Sequence, residues 1–551
     1  MKKCSLVMVA SMVIGFANAQ YEGPDRPKLV VGIIVDQMRV DYLYRYWDQY
    51  GDDGFKRLIK DGHFCRNTHY NYMSTLTGPG HASVHTGTTP ENHGIIANDW
   101  FLRNNGKTTY CALDTTVKTV GYDGSRGKRS PTWLRSTTIA DELELATNGR
   151  AKTVGLANKD RGAILAAGRM ADAAFWYVGG DEGKYISSTW YLEDLPDWLK
   201  TFNARNLVDE YLNGTWETLL PIDQYTQSIA DDNPYETIMP TKERPVFPYN
   251  LKEIREEKGN MGLLHYTPFG NSFTVDMAIA TIDGEEMGKD DECDMLALSF
   301  SSTDKVGHYF GVTGIETQDT YLRLDLEIAR LLKHLDKEVG EEEYLVFLTA
   351  DHGGPHNPNY LRSQKASSGF IQFVGVKTVA QEALEKAHGP GQWVLEVINE
   401  QVFLNRDYIT QRGLDLGRQQ QLVADAIIEM DGIMKAVSAY TLNTTDYNDG
   451  VMELVQNGFD QERSGDVMFV TDPGYYPWEK WYKDKGSDHR APWNYDTHVP
   501  LIFFGKGVQP GSSIREMYIT DIAPTIAMML SIQEPNSTTG KVIPEVIKRI
   551  K

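Results

Sequence analysis

The chain places a hydroxyl residue, Thr77, directly before a Gly-Pro-Gly turn within residues 73–83, MSTLTGPGHAS. The residues that follow can open a helix, whose free backbone amides and dipole favour a bound anion. Thr77 is therefore a candidate nucleophile toward an anionic substrate. A threonine hydroxyl does not ionise near neutral pH unaided, so this role requires a general base or a metal ion. Taken alone, the stretch is also typical of an ordinary turn.

Candidate metal ligands recur where predicted strands end. They are Asp36, Asp304 with His308, Asp351 with His352, and His489. Carboxylate oxygens and imidazole nitrogens suit zinc, and no cysteine is required. Each pair also has an ordinary interpretation, as an intrahelical hydrogen bond for the first pair and as a turn for the second. The whole set in this order carries more weight than any one pair.

These residues divide into two candidate zinc sites, one of Asp36, Thr77, Asp351 and His352, the other of Asp304, His308 and His489. Two zinc ions about 4 Å apart suit an in-line displacement, in which one holds the attacking oxygen and the other the departing oxygen. The first would bind Thr77 as an alkoxide, so no separate general base is needed. The second would neutralise charge on the leaving group and later activate a water.

A transferring phosphoryl group also needs donors for its non-bridging oxygens. Lys159 and Arg161 lie on one loop after a predicted strand, where arginine can make a bidentate contact and lysine supplies a compact charge. Asn98 can donate from its side-chain amide. A surface ion pair and a turn are the ordinary interpretations of these residues, and the metal set is what favours the phosphoryl site.

Buried parallel strands are expected to position these groups. Apolar runs at 29–35, 153–157, 295–300 and 344–350 read as such strands and end just before the candidate residues. Functional groups collect at the carboxyl ends of strands in α/β sheets. Further strands are predicted at 64–70, 369–376, 467–471 and 499–504, with helices at 321–335 and 519–530. The pattern predicts an α/β fold with a mostly parallel sheet.

The chain divides into three predicted parts. Residues 1–19 read as a cleaved export signal, because Lys2 and Lys3 precede a short apolar run that ends in Ala17-Asn18-Ala19. A short membrane anchor is the alternative. Residues 20–551 form the catalytic domain. Within it, the tryptophan-rich and proline-containing stretch at about 166–288 predicts an inserted cap over a cleft.

Composition bounds the partners. The 551 residues carry a formal charge of -21, with 41% hydrophobic and 24% charged residues, which is typical of a globular protein and argues against a nucleic-acid partner. No stable membrane partner is predicted. After signal cleavage, Cys65, Cys111 and Cys293 remain in an oxidising compartment. One disulfide can form among them, with Cys65 and Cys111 favoured by their proximity in sequence.

With these residues assembled, the chain resembles the alkaline phosphatase superfamily, and most closely the secreted PafA-type enzymes with a threonine nucleophile. The resemblance spans the whole mature chain and rests on IIVDQMRVDYL, TLTGPGHASVHTGTTPENHGIIANDW, NKDRGAILAAG, SFSSTDKVGHYFG, LTADHGG, HRAPWNYDTHVPLIFFG and TDIAPTIA. It implies an α/β/α sandwich and a monomeric two-zinc phosphomonoesterase that forms a phosphothreonine on Thr77. Thr77, Asn98, Lys159 and Arg161 match its catalytic positions, the last three holding the phosphoryl oxygens.

The resemblance leaves one ligand less secure than the others. Arg490 follows His489 where many relatives have glycine, and His498 lies nearby. The spacing of His489 to the following strand resembles that of relatives, so His489 is preferred and His498 is taken as structural. The histidines near the nucleophile, His81, His85 and His93, are also taken as structural.

Three rival functions have distinguishing features. A nucleotide pyrophosphatase or phosphodiesterase of the same superfamily shares the ligands and the threonine, but Lys159 and Arg161 favour a monoester, whose extra charged oxygen they can bind. Sulfatases need a Cys or Ser in a Cys/Ser-x-Pro-x-Arg motif, which residues 77–80 lack. A binding protein without turnover is disfavoured by the intact Thr77. The predicted substrates are therefore small phosphate monoesters, released as alcohol and inorganic phosphate in the periplasm or outside the cell.

Overall fold

The computed structural model describes residues 25–478 and 483–548. The predicted export signal at 1–19 lies outside the described residues. The strands, in chain order, are β1 (Leu29–Val35), β2 (His63–Cys65), β3 (Thr68–His69), β4 (Asp99–Leu102), β5 (Lys107–Tyr110), β6 (Thr119–Val120), β7 (Thr153–Ala157), β8 (Ala173–Val178), β9 (Lys184–Ser188), β10 (Thr215–Trp216), β11 (Tyr249–Asn250), β12 (Asp294–Phe300), β13 (Tyr344–Thr349), β14 (Gly369–Ile371), β15 (Val394–Ile398), β16 (Gln401–Leu404), β17 (Ile433–Ser438), β18 (Val467–Thr471), β19 (Tyr475–Pro477), β20 (His498–Val499), β21 (Leu501–Gly505), β22 (Gly511–Ser513) and β23 (Met517–Tyr518).

The α-helices, in chain order, are α1 (Asp41–Arg45), α2 (Phe55–Asp61), α3 (Thr77–Thr86), α4 (Pro90–His93), α5 (Ile139–Thr147), α6 (Asp160–Ala167), α7 (Asp197–Ala204), α8 (Leu207–Leu212), α9 (Leu251–Lys258), α10 (Phe269–Gly284), α11 (Ser302–Phe310), α12 (Ile315–Glu338), α13 (Pro358–Ser363), α14 (Phe373–His388), α15 (Arg406–Gln411), α16 (Leu416–Ile427), α17 (Ala439–Thr444), α18 (Gly450–Asn457), α19 (Asn494–Thr497) and α20 (Ile522–Leu530). Short 3₁₀ helices lie at Trp47–Gln49, Ile222–Gln224, Met261–Tyr266 and Ile519–Asp521. Within the described residues, we find no helix with the length and apolarity needed to cross a membrane.

A ten-stranded central sheet organises the molecule, in the order β22-β2-β21-β13-β1-β12-β7-β8-β9-β6. The five strands from β13 to β8 run parallel, and every residue of β1, β7, β12 and β13 is buried, as expected for strands covered on both faces. Helix α6 packs on β7 and β8 and contacts α3, and α10 packs on β12 and contacts α12. This arrangement confirms the predicted α/β/α sandwich with a mostly parallel sheet.

A smaller antiparallel sheet follows in the C-terminal half. It has the strand order β15-β16-β18-β17, and α14 and α16 pack against its strands. Its apolar core is separate from that of the central sheet. The span 166–288, predicted as a cap, begins with β8 and β9, which belong to the central sheet. The boundaries of a cap therefore remain a prediction.

Three predicted strands differ from the structure. The strand predicted at 64–70 is two short strands, β2 in the central sheet and β3 in a three-stranded sheet with β20 and β23. The strand at 499–504 is divided at Pro500, which has no amide hydrogen to donate to a ladder. The strand at 369–376 ends at Ile371, and α14 begins at Phe373 because Val376, Ala380 and Leu384 repeat with helical spacing and are buried.

The three cysteines within the described residues are unpaired. Cys65, Cys111 and Cys293 are all buried and free, so the disulfide favoured between Cys65 and Cys111 is wrong. Cys65 belongs to the central-sheet core, whereas Cys111 packs in a separate cluster beside α3. Proximity in sequence therefore does not bring the two sulfur atoms together.

Candidate active site

Neighbouring parallel strands deliver the charged groups of the site. Asp351, Asp36, Asp304 and Lys159 follow β13, β1, β12 and β7, which are adjacent in that order in the sheet. Asp304 lies in the first turn of α11. All four side chains are buried. The carboxyl edge of the sheet thus gathers residues that are far apart in the chain, as expected for an open α/β sheet.

Thr77 is the first residue of α3 and is only 1% exposed. The amide of Gly78 donates to Asn98 Oδ1 over 2.7 Å, which ties the predicted Asn98 to the start of the helix. Helix α3 approaches the β13 loop closely, because a Cβ atom on Gly80 would lie 2.5 Å from the Asp351 carbonyl oxygen. Glycine at this position lets the helix of the candidate nucleophile lie directly against a candidate ligand.

Arg161 is the group nearest to the Thr77 hydroxyl among the predicted cations. Its Nη2 donates to Thr77 Oγ1 over 3.3 Å, and its Nη1 donates to the Tyr110 hydroxyl over 3.4 Å. Tyr110 in turn donates to Asp160, whose other carboxylate oxygen accepts from Arg129 Nε over 2.7 Å. This chain of contacts fixes the guanidinium beside the hydroxyl.

Lys159 bridges two candidate ligands. Its Nζ lies 2.6 Å from Asp36 Oδ2 and 2.6 Å from Asp304 Oδ2. Burial lowers the pKa of Lys159, but the two carboxylates outweigh burial and raise it above its ordinary value. The lysine is therefore a buried ammonium at the centre of the acidic cluster.

One group of candidate ligands consists of Asp304, His308 and His489, with their ligand atoms within 4.8 Å of one another. His308 Nδ1 lies 2.7 Å from the Ser487 carbonyl oxygen, and His489 Nδ1 lies 2.7 Å from the Thr75 carbonyl oxygen. A carbonyl accepts only from a protonated nitrogen, so each ring keeps its proton on Nδ1 and directs Nε2 toward Asp304. Hydrogen bonds of this kind commonly orient metal-binding histidines.

The second group consists of Asp36, Asp304 and His352, again within 4.8 Å. Asp351 Oδ2 lies 3.5 Å from His352 Nε2. Within the described part of the chain, Asp36 Oδ1, Asp351 Oδ2 and His352 Nε2 are buried atoms without a hydrogen-bond partner. Unpaired buried atoms of this type fit a cation, because an unsatisfied carboxylate is costly to bury. The sequence assigned Asp304 to one site, whereas the structure places it in both groups.

The protonation of the cluster points the same way. Burial raises the pKa of Asp36, and it raises the pKa of Asp351 well above the ordinary value with Asp36 adding to the effect. Burial would also raise the pKa of Asp304, but His308 and Lys159 hold it well below the ordinary value. Burial lowers the pKa of His352 and keeps its ring neutral. Two of the three carboxylates, Asp36 and Asp351, thus lack sufficient compensating positive charge, which divalent cations would supply.

The two C-terminal histidines are clearly separated. The rings of His489 and His352 stack with centroids 3.5 Å apart, inside the cluster. His498 instead stacks on His69 at 4.4 Å and contacts the Arg66 carbonyl oxygen through Nε2. The geometry therefore brings His489, and not His498, to the other predicted ligands.

The histidines near Thr77 contact protein groups. His81 Nδ1 lies 2.8 Å from the Thr77 carbonyl oxygen, and its Nε2 lies 2.8 Å from Ser299 Oγ. His85 Nδ1 contacts the His81 carbonyl oxygen, and His93 Nε2 contacts Ser83 Oγ. These contacts support the structural roles predicted for the three rings.

Sequence reasoning missed several supporting residues. The backbone amide of Gln37 donates a hydrogen bond to Asp351 Oδ1 over 3.1 Å, and its side-chain Nε2 donates to Asp304 Oδ1 over 3.0 Å. The position of Gln37 directly after Asp36 was an available signal. No spacing in the sequence indicated that Tyr110 and Arg129 would hold Arg161.

A cleft of about 590 Å³ opens beside Lys159 and Arg161. Aromatic side chains line one part of it, including Tyr122, Trp176 and Tyr177. Lys305 also faces the cleft, and burial lowers its pKa to about 8 although Asp304 opposes the shift. The cleft therefore leaves space for a bound molecule next to Lys159 and Arg161.

Comparison with known sequences places the chain in a family. The model described as type I phosphodiesterase / nucleotide pyrophosphatase matches residues 30–499. Alkaline phosphatase PafA of Elizabethkingia meningoseptica is 41% identical over 545 residues, which cover 98% of this chain and 98% of that protein. A Myroides odoratus protein named calcium-transporting ATPase is 40% identical over 99% of this chain and 100% of its own length.

Solved structures agree with the sequence comparison. The crystal structure of wild-type PafA has a TM-score of 0.91 at 41% identity, covering 95% of this chain and 99% of that chain. A PafA variant substituted at a threonine, an asparagine, a lysine and an arginine has a TM-score of 0.90 at 40% identity, with the same coverage. The chain therefore belongs to the type I phosphodiesterase / nucleotide pyrophosphatase family of the alkaline phosphatase superfamily, and within it to the PafA-type alkaline phosphatases.

Proposed function

We propose that this phosphatase hydrolyses small phosphate monoesters through a phosphothreonine intermediate on Thr77. The observation that carries the proposal is the position of the Thr77 hydroxyl, which begins α3 and accepts a hydrogen bond from Arg161 over 3.3 Å. The PafA variant described above supports a catalytic role for the same set of residues. Its substitutions have the residue types and chain order of Thr77, Asn98, Lys159 and Arg161.

Two zinc ions fit the donor set. One would be held by Asp304, His308 and His489, and the other by Asp36, Asp351 and His352 together with Thr77, with Asp304 within reach of both. Oxygen and nitrogen donors without thiolates suit zinc, and the unpartnered atoms Asp36 Oδ1, Asp351 Oδ2 and His352 Nε2 favour a cation. When bound, the two ions would supply Lewis-acid stabilisation of the attacking and leaving oxygens and lower the pKa of the hydroxyl and of water.

The residues of the chain perform the rest of the reaction. Thr77 Oγ1 forms a bond to phosphorus as the bond to the leaving oxygen breaks, and the alcohol departs with a proton. Water then attacks the phosphothreonine, which releases inorganic phosphate and restores the hydroxyl. Arg161 stabilises the non-bridging oxygens, assisted by Lys159. Asn98 uses its Oδ1 for the Gly78 amide, so its NH₂ group is the donor for a phosphoryl oxygen.

Charge selects the monoester over the diester. A monoester dianion presents one more anionic oxygen than a diester, and Lys159 and Arg161 both lie at the site that receives it. Charge-assisted contacts of this kind strengthen as charge develops in the transition state. The phosphodiesterase alternative would leave one of the two cations facing an esterified oxygen. ATP hydrolysis, named for the Myroides relative, also removes a terminal phosphoryl group.

The test compares kcat/KM for an aryl phosphate and its methyl diester. The zinc-loaded protein is expected to prefer the monoester strongly, and the Lys159→Ala, Arg161→Ala variant to lose most of that preference. Removing one stabilising donor costs roughly 10² to 10³ in rate. A Lys107→Ala, Arg205→Ala variant, which removes the same charges from exposed positions, serves as control. Equal or faster turnover of the diester by the unsubstituted protein would move the function to the phosphodiesterase branch.

The intermediate and the location are tested separately. Acid quenching during turnover should trap phosphate on the Thr77 peptide, and Thr77→Ala should abolish the trapped species. We also propose that residues 1–19 direct export of the protein to the periplasm or the medium. We further propose that the exported protein is a monomer. Mass spectrometry of the exported protein should then find Gln20 at its N-terminus, and light scattering should find one chain per particle.

A further inference from the structure

The cleft beside Lys159 and Arg161 is lined by an excess of positive charge. Its cationic lining residues are Arg126, Lys159, Arg161 and Lys305, and Asp160 is the one acidic lining residue in the part of the chain that the structure describes. The chain as a whole carries a charge of -21. A local positive region in a strongly acidic protein raises the local concentration of anions.

Two of these four cations already have partners, and Arg126 is exposed to solvent. Lys159 contacts Asp36 and Asp304, and Arg161 contacts Thr77 and Tyr110. Asp160 does not offset the remaining cations, because it accepts from Tyr110 and from Arg129. The carboxylate of Asp160 is therefore not available as a partner for Lys305.

Lys305 has no such partner. Across residues 25–478 and 483–548, its ammonium makes neither a hydrogen bond nor an ion pair. It lies in α11 directly after Asp304, half-buried, and it faces the same cleft as Lys159 and Arg161. A half-buried ammonium without a partner loses part of its hydration and gains nothing in return.

His265 stands in the same wall of the cleft. Its ring packs edge-on against Tyr177 with centroids 5.2 Å apart, and its Nδ1 is buried without a hydrogen-bond partner among the described residues. The 3₁₀ helix Met261–Tyr266, which carries His265, packs against α11, which carries Lys305, and both side chains line the same cleft. An anion between them would satisfy both groups.

We propose that Lys305, with His265 beside it, binds a second anionic group, a carboxylate or a phosphate, carried by the leaving group of the phosphate monoester. The inference rests on the proposed monoesterase function, and it names the substrate class. Lys159 and Arg161 receive the transferred phosphoryl group, and Lys305 receives the second anion. Aromatic lining at Tyr122, Trp176 and Tyr177 accommodates the carbon skeleton between the two.

The experiment uses three aryl phosphates that differ in one substituent. These are 4-carboxyphenyl phosphate, 1,4-phenylene bisphosphate and the uncharged control 4-carbamoylphenyl phosphate. The zinc-loaded full-length mature protein is assayed at pH 7, with Lys305→Met, Lys305→Arg and the charge-matched surface variant Lys107→Met. The readout is kcat/KM of each anionic substrate divided by that of the uncharged control.

We expect the unsubstituted protein to favour the anionic substrates and Lys305→Met to lower the ratio about tenfold, the effect of losing one charge-assisted contact at a partly hydrated site. Lys305→Arg should retain most of the ratio, and Lys107→Met should leave it unchanged. A loss confined to one anionic substrate identifies carboxylate or phosphate as the ligand. Lys305→Gln replaces Lys305→Met if the latter does not fold.

Two results are distinguishable failures. If all three substrates are hydrolysed but Lys305→Met leaves the ratio unchanged, or lowers all three rates by one factor, Lys305 does not bind a second anion. If the unsubstituted protein hydrolyses none of the three, the proposed monoesterase function itself fails.

Discussion

Replacing Gly80 by alanine tests how α3 positions Thr77, the proposed nucleophile. A Cβ atom at this position would lie 2.5 Å from the Asp351 carbonyl oxygen, 2.7 Å from its Cβ and 2.9 Å from its Cα. Ordinary carbon contacts need about 3.5 Å, so α3 and the β13 loop must separate by roughly 1 Å. Two of the obstructing atoms belong to backbone, which cannot rotate away as a side chain can.

The expected effect is large on rate and moderate on stability. A misplacement of about 1 Å at a catalytic group costs roughly 100-fold in rate. Overpacking of a buried contact costs about 1–3 kcal/mol in the free energy of unfolding. We therefore expect Gly80→Ala to fold, to lose roughly 100-fold in kcat/KM for an aryl phosphate, and to bind metal more weakly, because Asp351 is one of the proposed ligands.

Gly375 provides a matched control. It lies in the first turn of α14, and the nearest atom to an added Cβ would be Met430 Cε at 3.9 Å. Alanine is preferred over glycine in helices by about 1 kcal/mol, so Gly375→Ala should match or exceed the parent in stability and retain its activity. If folded Gly80→Ala keeps kcat/KM within threefold of the parent, the contact between α3 and Asp351 does not set the position of Thr77.

Four further results are expected. Asp304→Asn should lower the measured zinc content at both sites, whereas Asp36→Asn should lower it mainly at one site. Equal losses of zinc in the two variants would contradict the shared role of Asp304. His489→Asn should lower zinc content and activity and His498→Asn neither, since only His489 lies in the cluster. A thiol reagent should label Cys65, Cys111 and Cys293 only after unfolding, because all three are buried and burial raises the pKa of Cys65 to about 12; rapid labelling of the native protein would contradict this. Burial raises the pKa of Glu316 from 4.5 to about 8, so the folded protein loses stability as the pH rises between these two values. Glu316→Gln should therefore raise Tm more at pH 8 than at pH 5. An equal change in Tm at both pH values would refute the raised pKa.

The sequence predicted the sheet edge well because buried parallel strands are continuous apolar runs with a polar residue at their end. Asp36, Lys159, Asp304 and Asp351 all follow such runs, and the order of strands then brings them together. Their candidate roles could therefore be predicted from residue type and from position at a strand end. His489 lacked this signal, since it lies in a loop between β19 and α19.

Other parts of the site depend on contacts that no local pattern encodes. The support of Arg161 by Tyr110 joins a hairpin strand to a helix 51 residues later, and Gln37 turns toward Asp304 with a positive φ of 63°. The strand predicted at 369–376 failed for a different reason. Its β-branched residues suit a strand, but burial of one face over the longer stretch to His388 favours a helix.

The proposed ligands span the chain from Asp36 to His489. Contacts over such separations form late, because the loops between them must close first. During synthesis the site therefore stays incomplete until nearly the whole polypeptide has emerged. If the chain is exported before it folds, as the proposed signal implies, its metal site is not yet formed when it crosses the membrane. With the proposed zinc site, the zinc supply of the destination compartment, and not that of the cytoplasm, would then determine when the enzyme becomes active.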